Sequence, residues 1–411
     1  MNRWKAYCKD GGSFMWQDWL LELLKGFGKL FLNPVFYLSF LFAAYLGVAR
    51  VKKERRHFTV RAQNAYFELK QLLPMGIIIG LCISVFSIGL VLVVPMEFVV
   101  FTGIITIVLA LIGKTRMLSP VYTAGLGIIV SSVSLFLGWD YFLFSKNNLS
   151  SSEYIFPTAV ILLGLLIISE GIFVRNNGVK ATSPRLKKSR RGQAIGVHLL
   201  ERAWILPVFL FIPSGLLTIP FEWWPMFTVG NQTYSLLLVP FLIGSKMEVQ
   251  GEHPIIAIRN VGRNIIILGS IMVVGGAAAY LYPLASIALV LVAIIGREWI
   301  TRKQKSKEKN KSFYFSRKNN GVVILGIVPD SPADKMGLKI GEMISKVNSI
   351  PVQDKNQLYK ALQKNSAHCK LEVFDANGEI RFVQRALYEG DHHELGLLLI
   401  PDEKVHGNEA V

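Results

Sequence analysis

Histidine, cysteine and serine are the residues through which this chain could do chemistry, and their spacing decides what they can do. A zinc hydrolase needs two histidines four apart on one helical face, with a glutamate between them as base. No H-E-x-x-H occurs. His253 follows Glu252 in a polar stretch, and "DHHEL" (391–395) sets His392 and His393 side by side, so they cannot share one helical face. A serine nucleophile wants a glycine-framed loop, but "IPSGLL" (212–217) lacks the first glycine and His198 lies in a basic stretch. Cys8, Cys82 and Cys369 have no metal-ligand spacing and form no disulfide framework. The sequence gives no nucleophile, base, phosphate loop, metal ligand set or cofactor site, and it argues against an enzyme.

Composition explains what these residues sit among. The chain of 411 residues is 52% hydrophobic and only 18% charged, against roughly 25% charged in a soluble domain. The excess falls before residue 300 in runs long enough to cross a bilayer as helices. The spacing predicts spans at 29–49, 72–94, 97–113, 119–139, 155–174, 204–220, 228–245, 264–281 and 283–299. That makes a polytopic α-helical membrane domain of about eight or nine spans. The last doubt falls on 228–245, which Pro240 interrupts, and on the first run, whose side fixes that of the N-terminus. Small residues in "LGSIMVVGGAAAY", notably Gly269, Gly275 and Gly276, suit close helix packing. Mid-span ionisable groups, the mark of a transporter, are nearly absent: Glu170 lies near the end of its span and Asp140 just beyond another.

The net charge of +17 follows the loops. "RVKKERRHFTVR" (50–61) has six basic residues and one acid; 175–203 has eight and one; 297–318 has nine and two. The alternate loops are poor in Lys and Arg. This is the positive-inside pattern, which places the basic loops and C-terminal region in the cytoplasm and makes the lipid bilayer, not nucleic acid, the partner of the charge. Residues 1–28 read as an amphipathic interfacial segment, 29–299 as the membrane domain with Trp223 and Trp224 at its outer belt, 300–311 as a basic tether, and 401–411 as a flexible tail.

From 312 to 400 the pattern changes to short strands, "GVVILGIV", "EMISKVN", "KLEVFD", "EIRFVQRAL" and "LGLLLI", with a helix at 354–365 capped by Asp354. "DANG" is a hairpin turn. Val328, Pro329, Ser331, Pro332, Ala333, Gly337, Leu338, Gly341, Ile344, Val347, Asn348 and Val352 resemble the V-x-P-x-S-P-A-x-x-x-G-L-x-x-G-D-x-I-x-x-V-N-G-x-x-V wording of bacterial PDZ domains. The chain departs mildly from that family: Asp330 replaces a common Gly, Glu342 the usual Asp and Ser349 the Gly after Asn348. The resemblance implies a small, partly open β-barrel that binds a peptide by strand addition. Leu395, Gly396, Leu397 and Leu398 would form the carboxylate-binding loop and edge, with Lys355, Tyr359 and Leu362 of the helix facing the groove. In the alternative, "LGLLLI" only completes the barrel and "SFYFSR" (312–317) forms the edge.

The whole layout resembles the MinJ family, the division-site topological determinants of Gram-positive bacteria: a first span followed at once by "RVKKERR", further spans, a charged tether and a PDZ domain with "LGLLLI" near its end. That resemblance implies an adaptor joining the polar scaffold DivIVA to MinD, placed at septa and poles. The rival reading is a PDZ-bearing partner of a membrane protease system, and a transporter comes third.

Overall fold

The computed structural model describes residues 20–136, 155–217, 234–364, 368–375, 377–386 and 395–401. Cys8, Asp140, Trp223, Trp224, His392, His393 and the tail beyond 401 lie outside them. Residues 20–30 form α1. Asn33 accepts a hydrogen bond from Val35 N at 3.0 Å and, with Pro34 in the first turn, starts α2, Pro34–Phe58. There follow α3 (Phe67–Leu72), α4 (Pro74–Leu90), α5 (Met96–Leu111), α6 (Pro120–Phe136) and α7 (Ile155–Ile172). After the hairpin described below come α8 (Pro254–Ala278) and α9 (Ala285–Asn310).

Four helices among the described residues are long and apolar enough to cross a membrane, at Pro34–Phe58, Phe67–Leu90, Phe156–Asn177 and Pro254–Ala278, and α5 and the Pro120–Ser134 part of α6 are shorter apolar helices. The expected eight or nine spans compare with these four among the described residues. Gly164 and Gly171 of α7 meet Gly269 and Gly262 of α8 so closely that a Cβ would lie 2.8–3.0 Å from the opposing backbone oxygens. α9 does not stop at 299; it runs on as helix through the stretch read as a basic tether.

The largest correction concerns the expected spans at 204–220 and 228–245. They are strands. β1 (Ser183–Lys188), β2 (Ala194–Leu217) and β3 (Tyr234–Val249) form an antiparallel sheet in that order. Hydropathy cannot separate a fully buried strand from a buried helix. Proline can. Pro207, Pro213 and Pro240 would each cost a helix interior about 3 kcal/mol, but a strand accepts proline where its missing N–H would point away from the ladder.

The register puts Pro207 opposite Pro240. On the same side of β2, Phe209 N donates outward to Ser84 Oγ of α4 at 2.9 Å, and Phe211 O accepts from Val94 N at 3.0 Å. The outward carbonyls of Ile205 and Pro207 lie against Gly76 and Gly80, where any Cβ would overlap them. α4 therefore seals this strand edge. α1 lies along part of the β3 edge, with Gly26 against Leu236 O and buried Glu22 accepting from Ser235 Oγ at 3.0 Å. A hairpin at membrane depth is tolerated only when its backbone is covered in this way. Trp204, Leu206, Val208 and Leu210 then join the main core beside α7 and α8.

The C-terminal sheet runs β8–β7–β5–β4–β9, with β6 paired to β5. Its strands are β4 (Val322–Ile327), β5 (Met343–Val347), β6 (Ile350–Pro351), β7 (His368–Phe374), β8 (Ile380–Ala386) and β9 (Leu397–Leu399), with helices α10 (Pro332–Lys335) and α11 (Lys355–Gln363). Asp354 caps α11 by accepting from Gln357 N at 2.7 Å. Asp330 and Ser349, two of the departures from the PDZ wording, have φ of 62° and 68°, in the left-handed region where the pattern carries glycine.

Candidate functional site: the PDZ domain and its seat

β9 is the terminal strand of its sheet, antiparallel to β4 with Ile327 opposite Leu397. The loop before it is pinned to α10. Ala333 N donates to Leu395 O at 2.9 Å and Val328 N to Gly396 O at 2.8 Å. Gly396 has φ of 78° and lies so close to Ser331 that a side chain has no room. Leu395, Leu397 and Leu398 are buried; Leu395 and Leu397 share a core with Leu358, Ala361 and Leu362 of α11. Of the helix residues expected to face a groove, Lys355 is exposed, Tyr359 is half-buried with the Lys355 ammonium 5.7 Å from its ring, and Leu362 is buried. A small cleft of about 20 Å³ between Lys355 and Ile400 joins the start of α11 to the end of β9.

"SFYFSR" goes elsewhere. Phe315 pairs with Gly196 of β2 in an antiparallel bridge, Gly196 N donating to Phe315 O at 2.9 Å. Phe315 is fully buried, its ring centroid 4.8 Å from that of His198. Tyr314 N donates to Gln250 O at 2.9 Å, and the His253 ring reaches Ile340 O at 3.2 Å. His198 and His253 thus help join the PDZ domain to the end of the hairpin and the start of α8. Burial pushes the His198 imidazole down to about 3, which suits a neutral ring accepting from or donating to Thr182 Oγ1 at 2.8 Å. Among the described residues no group of three His, Cys, Asp or Glu could hold a metal.

A buried ionic cluster lies near that seat, built from residues far apart in the chain. Arg202 donates to Glu68 at 2.8 Å and to Asn177 O at 2.6 Å, Arg50 donates to Glu54 and Glu68 at 2.8 Å each, and Trp204 Nε1 donates to Asn177 Oδ1 at 3.0 Å. Glu170, near the end of its expected span, accepts from Arg297 at 2.7 Å.

The comparisons agree with this geometry. The PDZ domain family matches residues 323–373. Over 393 residues, the chain is 38% identical to the cell division topological determinant MinJ of Bacillus subtilis (strain 168), covering 94% of this chain and 97% of that protein. The chain belongs to the MinJ family. Probable MinJ proteins of Lacticaseibacillus paracasei and Lacticaseibacillus casei (strain BD-II) are each 27% identical, over 91% of this chain and 98% of theirs. No solved structure matches. The MinJ relationship spans both the membrane domain and the PDZ domain, so the hairpin lies within the length shared with those relatives.

Proposed function

We propose that this MinJ-family chain is a multi-pass cell-membrane scaffold for division-site selection. It links the polar protein DivIVA to MinD at septa and poles, with its PDZ domain in the cytoplasm. The observation that carries the reading is the 38% identity extending over 94% of the chain, not over the PDZ domain alone. Strand addition alongside β9 supplies the binding mode, with Leu395, Gly396, Leu397 and Leu398 on one side and Lys355, Tyr359 and Leu362 on the other. Membrane anchoring raises the local concentration of a partner whose affinity for the groove is modest.

Imaging a C-terminal GFP fusion in growing rod-shaped cells tests this. The expected signal is bright at septa and poles and disperses when the polar scaffold is deleted. A uniform membrane ring indifferent to that deletion sinks the proposal.

A further inference from the structure

The basic end of the membrane domain contains a cavity that scaffolding leaves unused. Its volume is about 120 Å³, against roughly 10–15 Å³ for one water. The end of α2, the turn at Gly113, β1 and the adjoining parts of β2 and β3 make its walls, and Arg50, Lys53, Arg185, Arg202 and Lys246 line it.

The charges there do not balance. Glu54 and Glu68 are bound by Arg50, Glu68 also by Arg202, and Glu201 by Lys246 at 2.7 Å with Arg185 at 4.0 Å. Five cations meet three carboxylates, a surplus of two positive charges. Lys53 forms no ion pair among the described residues.

Donors are also left over. The Arg50 side chain is 8% exposed; its Nε and Nη1 are bonded, yet its buried Nη2 has no acceptor among the described residues. The buried Nε of Arg185 is likewise without an acceptor. An unmet buried donor costs free energy, and more when it is charged. Water would supply an acceptor but no charge. A tetrahedral oxyanion supplies both, with oxygens that the guanidinium fork can take two at a time.

We propose that this cavity binds a phosphate group, held by Arg50, Lys53, Arg185 and Lys246. The phosphate belongs either to the headgroup of an anionic lipid or to a soluble phosphate. Tyr45 lines the cavity and, with Leu41 and Val48, stands exposed on the outward face of α2, an apolar flank suited to acyl chains.

The test uses the full chain, purified in detergent and stripped of lipid, followed by thermal unfolding with four additives. These are dioctanoyl-phosphatidylglycerol, dioctanoyl-phosphatidylcholine, sodium phosphate, and sodium chloride at matched ionic strength. A midpoint raised by phosphatidylglycerol above phosphatidylcholine, with no effect of phosphate over chloride, assigns the lipid source. A rise with inorganic phosphate assigns the soluble one. No rise over either control overturns the proposal.

The double variant Lys53→Gln/Arg185→Gln keeps the Arg50–Glu54–Glu68–Arg202 network and loses at least about tenfold in affinity for the active additive. Should that variant not fold, Lys53→Gln alone, which breaks no ion pair, carries the same comparison. A variant that responds like the native chain overturns the assignment.

Discussion

The molecule contains two β-regions that meet the same physical problem in opposite surroundings. The hairpin of β2 and β3 packs on α4, part of a helix long and apolar enough to cross a membrane, and its edge groups are met by helices: α4 through Gly76, Gly80 and Ser84, and α1 through Gly26. The PDZ sheet ends in β9, which has one neighbouring strand, β4. Where backbone is denied water, every strand edge needs a permanent cover. Where water and peptides are available, an edge strand is a binding device. One chain presents both kinds of edge, joined at Gly196 and Phe315.

Gly76→Val would break the first half of this comparison most severely. It drives a side chain into the Ile205 carbonyl, and the expected loss exceeds the 1–3 kcal/mol typical of an overpacked core, seen as a chain that no longer unfolds cooperatively in detergent. Arg202→Met is next. It takes one of two guanidinium partners from buried Glu68, which keeps Arg50, so the loss stays below the roughly 3–5 kcal/mol of a buried charge left alone, read as a lower thermal midpoint. Gly196→Leu attacks the junction, because Phe315 and Leu325 occupy the space a side chain there would need. About 1–3 kcal/mol of overpacking should release the PDZ domain from its seat while leaving it folded, measurable as faster amide exchange at Gly196 and Tyr314 with β5 and β7 still protected.

Acid should act at the same junction more gently. Burial holds the folded His198 near 3, below the ordinary 6.5 of imidazole, so the unfolded ring binds the proton more readily. Stability from this residue is complete above about pH 6.5 and declines as pH falls towards 3. His198→Asn should flatten that part of a stability-versus-pH curve. The smallest effect belongs to the PDZ half. Ser349→Gly relieves a φ of 68°, less the entropy that glycine adds to the unfolded chain, and a gain of up to about 1 kcal/mol is expected from denaturant titration.

The same contrast explains what could be read beforehand. The PDZ domain was legible because its motif residues do local work: Ser331 accepts from Asp334 N at 3.4 Å to cap α10, and Gly337 and Gly341 take φ of 70° and 91°. The hairpin was not, because hydropathy registers burial and carries no period when both faces of a strand are covered. Pro207, Pro213 and Pro240 were the available signal, and only Pro240 raised a doubt. The ionic cluster was illegible for another reason. Glu68 and Arg202 are 134 residues apart, and each looks like an ordinary member of a charged loop until the fold brings them together. For the PDZ groove residues, sequence gave an order along the chain; the burial of Leu362 and exposure of Lys355 depend on how α11 rolls against β9.

The pairing of Pro207 with Pro240 has a consequence for how the protein is made. A hairpin with outward-facing carbonyls and no cover cannot rest in lipid, so it cannot be inserted first and packed later. Both of its covers, α1 and α4, precede β2 in the chain. Synthesis from the N-terminus therefore lays down the receiving surface before the strands emerge. Moving the hairpin ahead of α4 by circular permutation would leave every contact of the finished fold available, yet deprive the nascent strands of a place to wait.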